Sequence, residues 1–248
     1  MRNGLLQINL MFNQTATFYI ILGGILPVLV WLWFWLREDK QNPEPRKCIF
    51  LAFIFGMISA LLVLPVEEFL SKFLPEAGLI PIVVFSFAEE IFKYFGAYFS
   101  SLRKKYMDEP IDAIIYMITI ALGFAALENT LFLMHSIKTT GGNITQAFMV
   151  GNMRFIGATL LHTVSSGVIG LFIALSFYKK KILKRSYLFT GIILAVILHT
   201  FFNFLIIKTS GGRMFITFAM IWSVAILLIF LFEVVKKIKK KKNLTINN

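Results

Sequence analysis

Six side chains capable of acid–base or metal chemistry interrupt stretches that are otherwise apolar: Glu89, Glu90 and Lys93, then Glu128, His162 and His199. Carboxylates and imidazoles activate water, either as general bases or by holding a metal ion. Glu89 precedes Lys93 by four residues, the favourable order for an ion pair on one helical face. Glu90 lies about 100° further round the helix and is expected to lack a partner within its own stretch. Either glutamate could take a proton from water. Glu128, His162 and His199 make a plausible zinc ligand set. Asn203 follows His199 by four residues, so the two share a helical face, where an amide and an imidazole can stabilise an oxyanion. No serine stands in a nucleophile motif, and no glycine-rich phosphate loop is present.

The elements that must position these groups are membrane helices. The 248 residues are 58% hydrophobic with a mean hydropathy of +0.77, well above the roughly 45–50% apolar content of soluble domains. We expect an all-α polytopic membrane protein with one transmembrane domain, 1–248. Seven apolar runs are long enough to cross a bilayer as helices: 18–36, 49–66, 79–99, 111–134, 155–178, 187–207 and 215–235. A single cysteine, Cys48, excludes an intrachain disulfide. Lys and Arg alternate between the connections, eighteen on one side against six on the other, with Lys93 buried. The positive-inside rule then puts the N-terminus outside and the C-terminus in the cytoplasm. The net charge of +12 therefore reflects topology and not nucleic-acid binding. The basic tail, 236–248, is expected to bind anionic lipid.

With that orientation, counting residues from the outer span ends places Glu90 roughly 16 Å deep, Glu128 roughly 9 Å, His162 roughly 10 Å and His199 roughly 12 Å. All four fall in the outer half of a core about 30 Å thick. Charges at that depth are costly unless they share water and hydrogen bonds, so the shared layer implies one polar cavity. Other polar residues have simpler readings. Asn129 can tie helices together, Arg154 can anchor a helix at the interface, His135 is expected at the interface, and Glu67 and Glu68 are expected to be solvated. Asp112 suits the start of a helix.

Four motifs, each on its own helix, resemble the PrsW family of intramembrane proteases, relatives of the type II CAAX prenyl endopeptidases. They are Glu89-Glu90 with Lys93, Phe124 with Glu128-Asn129, His162 with Arg154 upstream, and His199 with Asn203. The resemblance covers about 81–203, inside a motif-bearing core of about 79–207. It implies hydrolysis of peptide bonds in membrane-anchored proteins such as anti-sigma factors, at the outer side of a bacterial cytoplasmic membrane. It also implies catalytic roles for Glu89, Glu90, Glu128, His162, His199 and Asn203, supported by Lys93, Asn129 and Arg154. The prenyl endopeptidases carry histidine where this chain has Glu128, and no His-Glu-x-x-His helix is present, so zinc and metal-free glutamate chemistry both stay open. Two alternatives use the same residues: a proton or cation carrier, and an inactive peptide-binding or immunity-type relative.

Overall fold

The computed structural model describes residues 14–37, 42–140, 144–208 and 214–238. Among them are seven α-helices and no strand: α1 (Gln14–Leu36), α2 (Arg46–Ser71), α3 (Leu79–Ala97), α4 (Pro110–Thr139), α5 (Ile144–Leu175), α6 (Lys181–Lys208) and α7 (Met214–Lys236). A π-helical turn, Tyr98–Leu102, prolongs α3. Each expected apolar run corresponds to one helix. The helices outlast the runs because hydropathy marks only the bilayer-buried part of a helix. Thus α5 begins at Ile144, not near 155, and α6 starts with the basic turn at Lys181.

Six of the seven are long and apolar enough to cross a membrane, so the chain is a multi-pass membrane protein. The other, α3, is the helix that carries Glu89, Glu90 and Lys93. Large apolar side chains cover the outside of the bundle, for example Phe50 (67% exposed) and Phe189 (67%). Such a surface suits lipid and not water.

At the centre stands α4, whose span is almost wholly buried. Glycines let its neighbours approach. A Cβ on Gly123 of α4 would meet the Phe53 carbonyl oxygen of α2 at 2.0 Å, and one on Gly56 of α2 would meet the Ile120 carbonyl oxygen at 2.1 Å. The start of α4 is secured by Pro110 and a capping box. Asp112 Oδ2 accepts from the backbone N–H groups of Asp108 (2.9 Å) and Glu109 (2.7 Å), and the Tyr116 hydroxyl donates to Glu44. Asp112 is therefore a cap. With α4 held this way, α3 and α5 pack against it, and α6 packs in turn on α5 and α3. The residues 239–248 of the basic tail lie outside the described residues.

Candidate functional site

Four helices each contribute to one buried cluster. From α3 come Glu89, Glu90 and Lys93, from α4 Glu128, from α5 His162 and Ser166, and from α6 His199. Spacing within α3 places both glutamates within reach of the lysine. Lys93 Nζ donates to Glu90 Oε1 at 2.9 Å and to Glu89 Oε2 at 3.3 Å. Lys93, Glu90 and His199 are fully buried, whereas the side chains of Glu89 and Glu128 are 13% and 32% exposed. Access to the cluster is therefore from the side of Glu89 and Glu128.

The expectation that Glu90 lacks a partner within its own stretch does not hold, since Lys93 three residues on pairs with it. Glu90 Oε1 accepts from Lys93 and from His199 Nδ1 (2.8 Å), and its Oε2 accepts from Ser166 Oγ (2.7 Å). The helical angle that separates Glu90 from Glu89 turns it towards α5 and α6, whose donors cannot be placed from spacing along α3. Lys93 likewise serves Glu90 more closely than Glu89. It lies 4.3 Å from the centre of the Phe124 ring, which also packs on His162 at 5.3 Å between ring centres. This is the physical role of the phenylalanine four residues before Glu128.

The hydrogen bonds select the imidazole tautomers. An ammonium only donates, so His162 Nδ1, 2.8 Å from Lys93 Nζ, accepts. The His162 proton is then on Nε2, which donates to Glu128 Oε2 at 2.5 Å. A carboxylate only accepts, so His199 Nδ1 carries the proton given to Glu90. His199 Nε2 is left as a buried lone pair with no hydrogen-bond partner among the described residues. The two lone-pair nitrogens, His162 Nδ1 and His199 Nε2, each lie 3.7 Å from Glu89 Oε2.

Glu89, His162 and His199 thus bring three donor atoms within 4.8 Å of one another. Tetrahedral zinc with ligands at about 2.0–2.2 Å separates its donors by about 3.4 Å. The donor set, its spacing and the orphaned His199 nitrogen fit a divalent metal. So does the surrounding pattern, since metal-binding histidines usually give their other N–H to a carboxylate, here Glu128 and Glu90. With both imidazoles neutral, three carboxylates against one ammonium leave the cluster with a net negative formal charge, which favours a cation. The convergent set contains Glu89 where the sequence suggested Glu128, and Glu128 instead accepts from His162 Nε2.

The other expected residues divide clearly. Asn129 Nδ2 donates to Thr159 Oγ1 at 3.1 Å and ties α4 to α5. Asn203 is half-buried one turn beyond His199, with no hydrogen bond to a described residue. The side chain of Arg154 lies outside the described residues, and His135 is exposed. Glu67 was missed. It is not simply solvated: its Oε1 is buried without a hydrogen-bond partner among the described residues, within electrostatic reach of Glu89, Glu128 and Lys93. Its position at the end of an apolar run resembles any interfacial glutamate, so only the packing of α2 against α4 exposes the connection.

The sequence model of the PrsW family of intramembrane metalloproteases matches residues 44–232. Among curated relatives, Protease PrsW of Clostridioides difficile is 27% identical over 194 residues, 75% of this chain and 79% of the relative. Protease PrsW of Geobacillus kaustophilus is 28% identical over 197 residues, covering 77% and 80%, and that of Bacillus subtilis is 24% identical over 196 residues, covering 78% and 85%. No solved structure matches. The match spans every helix that supplies the cluster, and the chain belongs to the PrsW family of intramembrane metalloproteases and is a protease.

Proposed function

We propose that this protease hydrolyses peptide bonds of membrane-anchored proteins, of the anti-sigma-factor kind, near the outer face of a bacterial cytoplasmic membrane. The observation that carries the reading is the convergence of Glu89 Oε2, His162 Nδ1 and His199 Nε2, with Glu90 and Glu128 holding the far nitrogens. Glu89, His162 and His199 would hold the metal. When bound, the ion supplies Lewis-acid activation of a water molecule. Zinc is the ion this donor set suits best.

The protein residues then have distinct tasks. Glu90 fixes the His199 tautomer and compensates the Lys93 charge inside the bundle. Glu128, the most exposed carboxylate of the cluster, accepts the proton of the attacking water. The water oxygen bonds to the scissile carbonyl carbon, and the carbonyl oxygen takes up the negative charge. Asn203, one turn from His199, would donate to that oxyanion. As the tetrahedral oxyanion collapses and the C–N bond breaks, Glu128 returns its proton to the departing amine nitrogen, leaving a carboxylic acid and an amine.

A second reading, without metal, is favoured by one contact. The Lys93 ammonium rests against both His162 Nδ1 and Glu89 Oε2, where it already supplies positive charge. In that case Glu89 is the base. Purified protein in detergent, given a fluorogenic peptide containing a membrane segment, separates the readings. Loss of cleavage with chelator and recovery with zinc supports the first, while chelator-resistant cleavage that Glu89→Gln abolishes supports the second. Pure ion transport in vesicles without cleavage of any membrane-anchored substrate would overturn both.

A further inference from the structure

A cavity of ≈ 580 Å³ opens between the π-helical end of α3, the end of α5 and the start of α6. That volume is within the roughly 300–1,000 Å³ of ordinary ligand sites. Its rim carries Lys181, Lys184 and Arg185, and its interior is lined by Tyr98, Ile173 and Leu188, among others. Among the described residues, none of the three cations has a carboxylate partner, although the chain uses short ion pairs elsewhere. Lys184 Nζ lies 5.6 Å from the Phe177 ring centre, so its ammonium lies over a cavity wall and not straight out into solvent. The rings of Tyr94 and Tyr98 stand 6.0 Å apart on the opposite wall, and neither hydroxyl is bonded to another described residue.

We propose that this cavity binds one anionic phospholipid. The phosphate meets Lys181, Lys184 and Arg185, the tyrosine hydroxyls donate to the headgroup, and an acyl chain lies along Ile173 and Leu188. Basic pockets between membrane helices are suited to such headgroups. A free phosphate would leave the apolar lining uncovered, and a neutral lipid would leave the three cations uncompensated. The π-turn supports the site, since these irregular turns often accompany function, and here it belongs to the lining through Tyr98 and Leu102. The occupant would bridge α3 and α6, the helices that bring Glu89 and His199 together. Bound lipid therefore stabilises the pairing on which the cluster depends. This site is separate from the basic tail and does not rest on the proteolytic reading.

The test uses the full chain in nonionic detergent, with lipid binding followed by native mass spectrometry and by thermal stability. Phosphatidylglycerol is expected to bind saturably as one molecule, at least tenfold more tightly than phosphatidylcholine, and to raise Tm. Lys181→Gln/Lys184→Gln/Arg185→Gln should weaken binding at least tenfold. Lys105→Gln/Lys179→Gln/Lys180→Gln removes the same charge outside the cavity and should change it less than twofold. Leu188→Trp, which fills the cavity and keeps every charge, should also prevent binding, and serves if the first variant does not fold. Equal losses in the two triple variants, equal binding of phosphatidylcholine, unchanged binding by Leu188→Trp, or the full Tm shift with glycerol phosphate alone would each overturn the proposal.

Discussion

Replacing Glu90 by glutamine tests the division of labour in the cluster, because Glu90 touches three partners and no access route. The substitution keeps the volume but removes a charge that is fully buried and accepts from Lys93, His199 and Ser166. Removing one partner of a buried pair typically costs about 3–5 kcal/mol. Lys93 retains Glu89 at 3.3 Å, and glutamine can still accept one hydrogen bond, so about 2–3 kcal/mol is the reasonable share of that range. A second loss follows from the imidazole. If the glutamine amide donates to His199 Nδ1, the His199 proton moves to Nε2, and the lone pair facing Glu89 disappears. Loss of such an orienting partner typically lowers metal affinity about 10–100-fold. Glu89→Gln should behave oppositely. Its side chain is partly exposed and its shortest partner is 3.3 Å away, so the fold should be preserved while stoichiometric zinc and cleavage are lost. Denaturant unfolding in detergent and bound zinc by elemental analysis would be measured on both variants. Equal stability losses, or Glu90→Gln keeping wild-type zinc affinity, would refute the assigned roles.

Three further outcomes are expected. Lys93→Met removes the cation lying against His162 Nδ1 and should destabilise the metal-free protein, with zinc restoring a larger fraction of its stability than in wild type; equal zinc-induced Tm shifts would argue that the ammonium and the metal do not share the site. Gly123→Leu places side-chain atoms where Phe53 backbone already stands 2.0 Å from the Cβ position, so yields of folded protein should fall severely, while an unchanged Tm would mean α2 and α4 are not in close contact. Asn129→Ala loses one interhelical hydrogen bond, worth about 0.6 kcal/mol in membrane proteins, and should leave kcat within twofold. A large loss of kcat at unchanged stability would move Asn129 into the reacting group.

The helices and the cluster were legible in the sequence for a simple reason: ionisable residues inside apolar runs have few acceptable places. Counting residues from the span ends was enough to put Glu90, Glu128, His162 and His199 in a common layer. What could not be read was which atom meets which. Glu90 looked unpartnered because only the i,i+4 pairing of Lys93 with Glu89 was counted, although the i,i+3 spacing also brings Lys93 to Glu90; its other partners, His199 and Ser166, come from helices remote in the chain. Glu89, and not the Glu128 that sequence suggested, lies near the facing nitrogens of both imidazoles, because depth along the membrane does not give the direction in which a helix turns its side chains. Glu67 stayed hidden because an end-of-span glutamate is ordinary until the neighbouring helix is in place. The early start of α5 was obscured by Gly151, Asn152 and Arg154, which end an apolar run without ending a helix.

X-ray absorption at the zinc edge of the purified protein, loaded with one equivalent of zinc, addresses the centre of the account. Two imidazole nitrogens and one carboxylate oxygen at about 2.0–2.2 Å are predicted, with the imidazole signal reduced in both His162→Ala and His199→Ala. A spectrum without imidazole ligands, or one unchanged in both variants, would contradict it.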